Sequence, residues 1–331
     1  MFRRSLLGAG AALLGCAAGL GAREAHAGEA GPEAGDRSAG PRVRRIERGP
    51  RGVTVELAPA SAPYPLPGRA WTDPTVLVFV PRHLRVSGGA LDAVVFFHGH
   101  NTTAREAMTR HQLREQLSES RQNAILVVPQ GPVRAADGDF GRLMAAGGLA
   151  RLLGEVRGLL AGRRVGAALG DASCSGARRV DRVVVAAHSG GYRAGAAAVA
   201  HGGVEVREAW LFDALYGEAA AYRDWLLAAP GRRKLVTFAI GGEPLRESLA
   251  LAAALRARGV EVLEETPLTR LSRADMVRAR AILARPAATH GTATFEESAL
   301  RDCLVASCLR GRGSGAFFED ADRPRTIARR I

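Results

Sequence analysis

The sequence predicts a three-layer α/β domain built on a mostly parallel central sheet. Three observations lead there. Apolar runs and helix-period segments alternate from about residue 75 to about residue 310. Several runs, 93–97 and 124–128 among them, are apolar throughout, as strands covered on both faces are. Hydrophobic residues make up 47% of the 331 and aromatics only 5%, so a sizeable, aliphatic core can be buried.

The chain opens with an export signal rather than a strand. Arg3 and Arg4 precede a short apolar run that ends at Cys16. The run is too short for an ordinary spanning helix and reads as the n- and h-regions of a signal. Leu13-Leu14-Gly15-Cys16 resembles the lipobox of bacterial lipoproteins, and Arg3-Arg4-Ser5-Leu6-Leu7 resembles a twin-arginine signal. The first resemblance implies lipidation of Cys16 and membrane attachment at the periplasmic or cell-surface side. Cleavage further on would leave a soluble exported protein. Residues 17–50, rich in Gly, Ala, Arg and Glu, read as a tether, with the folded domain over 51–331.

Within the domain, 52–57 alternates as a first strand and 58–74, with several prolines, reads as loop. The segment 75–80 is a strand stopped by Pro81. The run 93–97 is another, followed by a helix over 103–120 and a strand over 124–128 that ends at Pro129. Leucine and alanine spacing predicts a helix over 141–160, although Gly147 and Gly148 weaken its middle. The basic stretch 161–179 is a long connection. The central strand is 180–186, followed at once by an alanine-rich helix over 190–200. Then come strand 209–212, helix 219–227, strand 235–240, helix 245–258 and a last strand at 260–263. Helices over 273–284 and 296–304 flank the loop that holds His290.

Formal charge is +13, nearly all of it from arginine, since Lys234 is the sole lysine. No arginine block is long and no aromatics interleave with one, so nucleic acid is not an expected partner. After Cys16 only Cys174, Cys303 and Cys308 remain, which is neither a disulfide scaffold nor a metal cluster. No metal or organic cofactor is expected.

The chemistry gathers at strand ends. Ala187-His188-Ser189-Gly190-Gly191 lies between a strand and a helix, the setting in which a G-x-S-x-G elbow exposes its serine. Alanine replaces the first glycine. A second turn, His98-Gly99-His100-Asn101, follows the strand at 93–97. With these two turns the chain resembles the alpha/beta-hydrolase family. The resemblance spans most of residues 75–310 and implies a serine hydrolase. It makes Ser189 the nucleophile, and His100 and Gly190 the main-chain donors of an oxyanion hole. It makes His290, in Ala288-Thr289-His290-Gly291-Thr292, the general base, with His98 a shaper of its loop. Asp213, directly after a strand, is the preferred acid, and Glu243 the alternative. Asn101, Gln130, Tyr192 and Tyr216 are the candidate substrate contacts. The expected reaction is carboxylic-ester hydrolysis through an acyl-enzyme, on a small-molecule or envelope-derived substrate. Amide or peptide hydrolysis, and an inactive envelope-binding role on the same fold, are the alternatives.

Overall fold

The computed structural model describes residues 40–135 and 138–311. The candidate signal and Cys16 lie outside the described residues. Ten strands form one sheet: β1 (Arg42–Gly49), β2 (Gly52–Ala58), β3 (Val76–Pro81), β4 (Ala90–Phe97), β5 (Ala124–Pro129), β6 (Arg179–His188), β7 (Val206–Phe212), β8 (Lys234–Phe238), β9 (Val262–Glu265) and β10 (Ala281–Ala284). Their order across the sheet is β1-β2-β3-β5-β4-β6-β7-β8-β10-β9. The pairs from β1 to β5 are antiparallel. Every pairing from β5 through β4 to β9 is parallel. The expected mostly parallel sheet is therefore present, extended by an antiparallel edge.

The strands bury both faces because their apolar runs supply side chains alternately to each. Ala93, Val95 and Phe97 enter one core, and Val94 and Phe96 the other. The first core is covered by α3 (Gly148–Leu160), α4 (Arg163–Leu169), α5 (Tyr192–His201), α6 (Ala219–Ala228) and α7 (Gly242–Arg256). The second is covered by α1 (Ala104–Arg110), α2 (Leu113–Ser120), α8 (Arg273–Arg278) and α9 (Ala299–Val305). Those are the three layers. At the N-terminal end of β4, buried Asp92 accepts from Arg310, which ties residue 310 beneath the sheet.

Five details differ from the sequence expectations, the first being that 161–179, read as a connection, holds α4. Residues 42–49 are not tether: they form β1, paired along its length with β2. The helix over 103–120 is two helices, because Gln112 adopts a left-handed φ of 50° between α1 and α2. The helix over 141–160 begins only at Gly148, after a 3-10 turn over Gly141–Met144. Most consequentially, 273–284 is not one helix. Its first half is α8, while Ala281–Ala284 is β10, inserted between β8 and β9. The last strand before His290 is thus β10, not the strand at 260–263.

Candidate active site

Ser189 sits at the C-terminal end of β6, where a 3-10 turn over Ser189–Gly191 leads into α5. Its φ is 51°, a left-handed value that a side-chain-bearing residue adopts at a cost of about 1–3 kcal/mol. Small neighbours make the turn possible. A β-carbon on Gly99 would lie 2.8 Å from Ser189 Cβ, and one on Gly191 would lie 2.4 Å from the carbonyl oxygen of Phe97. The alanine in place of the first glycine is accommodated. Ala187 is buried and faces Gly195 of α5, at which an added β-carbon would lie 3.7 Å away.

Two further strand ends bring the partners. Asp213 follows β7 directly, and its own N–H donates to Phe238 O at 2.7 Å, anchoring it to the end of β8. Its Oδ1 accepts from Ile240 N at 2.9 Å. Its Oδ2 lies 2.6 Å from His290 Nδ1. A carboxylate only accepts here, so Nδ1 carries the imidazole hydrogen. His290 Nε2 is then the bare nitrogen, and it lies 2.9 Å from Ser189 Oγ, which donates to it. The Asp213 side chain is 6% exposed and that of His290 45%. Asp213 is therefore buried and fixed, while the His290 ring is partly exposed.

The third strand end is that of β4. Residues 98–101 turn beside the elbow, and a β-carbon on Gly190 would lie 3.4 Å from His100 N. The first turn of a helix leaves N–H groups without intrahelical partners, which is the polarity an oxyanion needs. His98 is buried beneath this turn. Gly131 N donates to its Nε2 at 2.9 Å, so Nδ1 is the protonated nitrogen and donates to Gly99 O at 2.9 Å. Burial lowers its pKa to about 4, so it is a neutral brace at physiological pH.

Ser189 at a strained strand-to-helix turn after β6, Asp213 after β7 and His290 in the loop after β10 thus stand in one hydrogen-bonded line at the C-terminal ends of the parallel strands. The chain is a three-layer α/β fold on a mostly parallel sheet. No family model and no curated protein sequence matches it. Among solved structures it is similar to a ferulic acid esterase, at 11% identity and TM-score 0.43, over 70% of this chain and 90% of that one. It is similar to an S-formylglutathione hydrolase from Agrobacterium tumefaciens, at 12% identity and TM-score 0.42, over 80% and 95%. A third is the fluorophosphonate-binding serine hydrolase FphF of Staphylococcus aureus, at 9% identity and TM-score 0.44, over 78% and 99%.

Of the other candidates, Glu243 is not the carboxylate that meets His290. It is exposed at the start of α7 and pairs with Arg246 at 3.0 Å, while Asp213 holds His290. Gln130 is not free to meet substrate. It is buried, its Oε1 accepts from Ala104 N at 2.9 Å, and its amide donates to Gly131 O at 2.8 Å. Asn101 is exposed beside His100, with its N–H given to Val133 O at 2.7 Å. Tyr192 and Tyr216 pack with ring centroids 6.0 Å apart, and Tyr216 stands edge-on to His290 at 6.5 Å. Burial raises the pKa of Tyr216, so its hydroxyl stays protonated, and the nearby Ser189 side chain offsets part of that rise. Among the described residues, Cys174 and Cys308 are free cysteines. Sequence reasoning missed His111 and Ile240. A buried histidine at a helix end and a main-chain N–H leave no motif.

Proposed function

We propose that this protein is a serine hydrolase that cleaves carboxylic esters through an acyl-enzyme. The observation that carries the reading is the unbroken line from Asp213 through His290 to Ser189, with both imidazole nitrogens assigned by their partners. A serine hydroxyl at its ordinary pKa is a weak nucleophile and needs a base at hydrogen-bond distance. His290 Nε2 takes the Ser189 proton as Oγ attacks the ester carbonyl. Asp213, held by Ile240 N, stabilises the imidazolium and fixes its orientation. The N–H groups of His100 and Gly190 receive the oxyanion. His290 then protonates the leaving alcohol, and afterwards draws a proton from the water that hydrolyses the acyl-enzyme.

The setting belongs to the same proposal. The signal-like N-terminus and Cys16 support export with a lipid anchor, which would place the site among envelope-derived or small-molecule esters. The test uses a fluorophosphonate probe and a short-chain acyl ester on the wild type and Ser189→Ala. The wild type is expected to label and hydrolyse the ester. Ser189→Ala is expected to lose labelling and to fall by about 10⁴-fold or more in kcat. Equal labelling of the two would sink the assignment.

A further inference from the structure

Two buried histidines outside the Asp213–His290–Ser189 line pack against the base. The His188 ring lies 4.9 Å from that of His290 and 4.5 Å from that of His111. His188 Nε2 is 2.8 Å from the carbonyl oxygen of His290. A carbonyl only accepts, so Nε2 carries the hydrogen and donates it. Nδ1 is then a bare acceptor, buried and without a partner, beside Gly99. Leaving such a nitrogen unsatisfied costs free energy, so the ring's orientation is set by the bond that Nε2 makes.

The His290 loop closes on itself in a turn, Thr289 N donating to Thr292 Oγ1 and Thr292 N to Thr289 O at 3.0 Å each, and the His188 bond ties that turn to the elbow. Residues 285–293 belong to no strand or helix. The far end of this loop is well anchored. Thr294 Oγ1 lies 2.7 Å from His111 Nδ1, and Thr294 O accepts from Gln116 Nε2 at 3.2 Å. Four residues earlier, His188 grips the loop at the residue that bears the base. We propose that His188 is a positioning residue: its Nε2–H holds the His290 main chain and thereby keeps the imidazole aimed at Ser189. His188 is also the residue before the nucleophile, so one turn presents Ser189 Oγ and sets the place of its base. The proposal rests on the reading of Ser189 and His290 as the reacting pair.

The test compares His188→Gln with His188→Asn. The glutamine amide reaches about as far as Nε2 and can still donate to His290 O, whereas the shorter asparagine amide stops near the Nδ1 position. A misplacement of about 1 Å in a reacting group costs about 10²-fold. Asparagine is therefore expected to lower kcat by about 10- to 100-fold with KM within about 2-fold. Glutamine is expected to recover most of that loss. Thermal unfolding of each variant, and kcat normalised to sites titrated to completion with fluorophosphonate, separate positioning from a lower folded fraction. Full activity in the asparagine variant, or equal losses in both, would overturn the proposal. The wild type and Ser189→Ala run in parallel: labelling that survives in Ser189→Ala fails the nucleophile reading itself, and the His188 proposal falls with it.

Discussion

Asp213 shows how a single residue is selected for a role that two could fill. Both Asp213 and Glu243 follow strands, and each is a carboxylate. Asp213 has a left-handed φ of 46°, a main-chain bond to Phe238 O and a carboxylate shared between Ile240 N and His290 Nδ1. Glu243 is half a helical turn into α7 and spends its charge on an exposed arginine. The prediction separates them. Asp213→Asn keeps the shape but presents an amide where Nδ1–H needs an acceptor, and kcat is expected to fall by about 10⁴-fold. Glu243→Gln is expected to stay within about 3-fold of wild type, since its ion pair is exposed and contributes little. Steady-state kinetics on a chromogenic ester checks both; a larger loss for Glu243→Gln than for Asp213→Asn would reverse the assignment. Tyr216 is a finer case. Its ring stands edge-on to His290 and its protonated hydroxyl is near the Ser189 side chain, so Tyr216→Phe is expected to lower kcat by several-fold while the folded structure keeps its ring contacts with Tyr192 and His290.

Among the elements, β4, β6, β7 and β10 each end at the same edge of the sheet, and each hands one functional group to the site. The groups converge because parallel strands align their C-terminal ends. The elbow stays in register only while β4 and the start of α5 touch without side chains between them. Gly191→Ala would drive a β-carbon into Phe97 O, and the cost is expected to be about 1–3 kcal/mol, with activity falling in parallel. Gly158→Ala is the contrasting case. Gly158 is exposed within α3 with open space around it, so alanine is expected to add about 0.5–1 kcal/mol and leave kcat unchanged. Urea unfolding of the two variants tests the pair. The same comparison explains what was legible in the sequence. Ser189, His290 and the ranked Asp213 were readable because strained turns at strand ends need small residues and leave a motif. β10 was not, because Ala281–Ala284 is four residues long and sits in a run of arginine, alanine and leucine that suits a helix. β1 was not, because at the sheet edge it is mostly exposed and its arginines resemble a tether. The role of Gln130 lay in long-range hydrogen bonds, which local sequence does not encode.

At the scale of the whole molecule, the buried histidines predict a marked response to acid. Three buried histidines, His98, His111 and His188, brace the two loops that frame the site. Burial lowers the pKa of His98 and His188 to about 4, and burial with neighbouring positive charge lowers that of His111 to about 2. In the unfolded chain each would titrate near 6.5. Their folded pKa values are depressed, so the unfolded state binds protons first as pH falls. The stability they allow is fully present above about pH 6.5 and is lost progressively toward pH 4, at about 1.4 kcal/mol per pH unit for each. Carboxylates at or near the surface whose pKa is lowered, such as Asp275 and Asp224, add their loss only at lower pH. Asp92 and Glu208, raised by burial, oppose the trend as they take up protons in the folded state. Against a total of about 5–15 kcal/mol, a loss of this order from three histidines is expected to make unfolding begin in mild acid. Urea midpoints are therefore expected to fall steadily from pH 7 to pH 5, with tertiary structure lost before the carboxylates titrate. His188→Gln removes one of the three protons and is expected to flatten that slope by about a third, whatever it does to kcat. A midpoint constant between pH 7 and pH 5, or a slope unchanged by His188→Gln, would show that these rings are not held neutral by the fold.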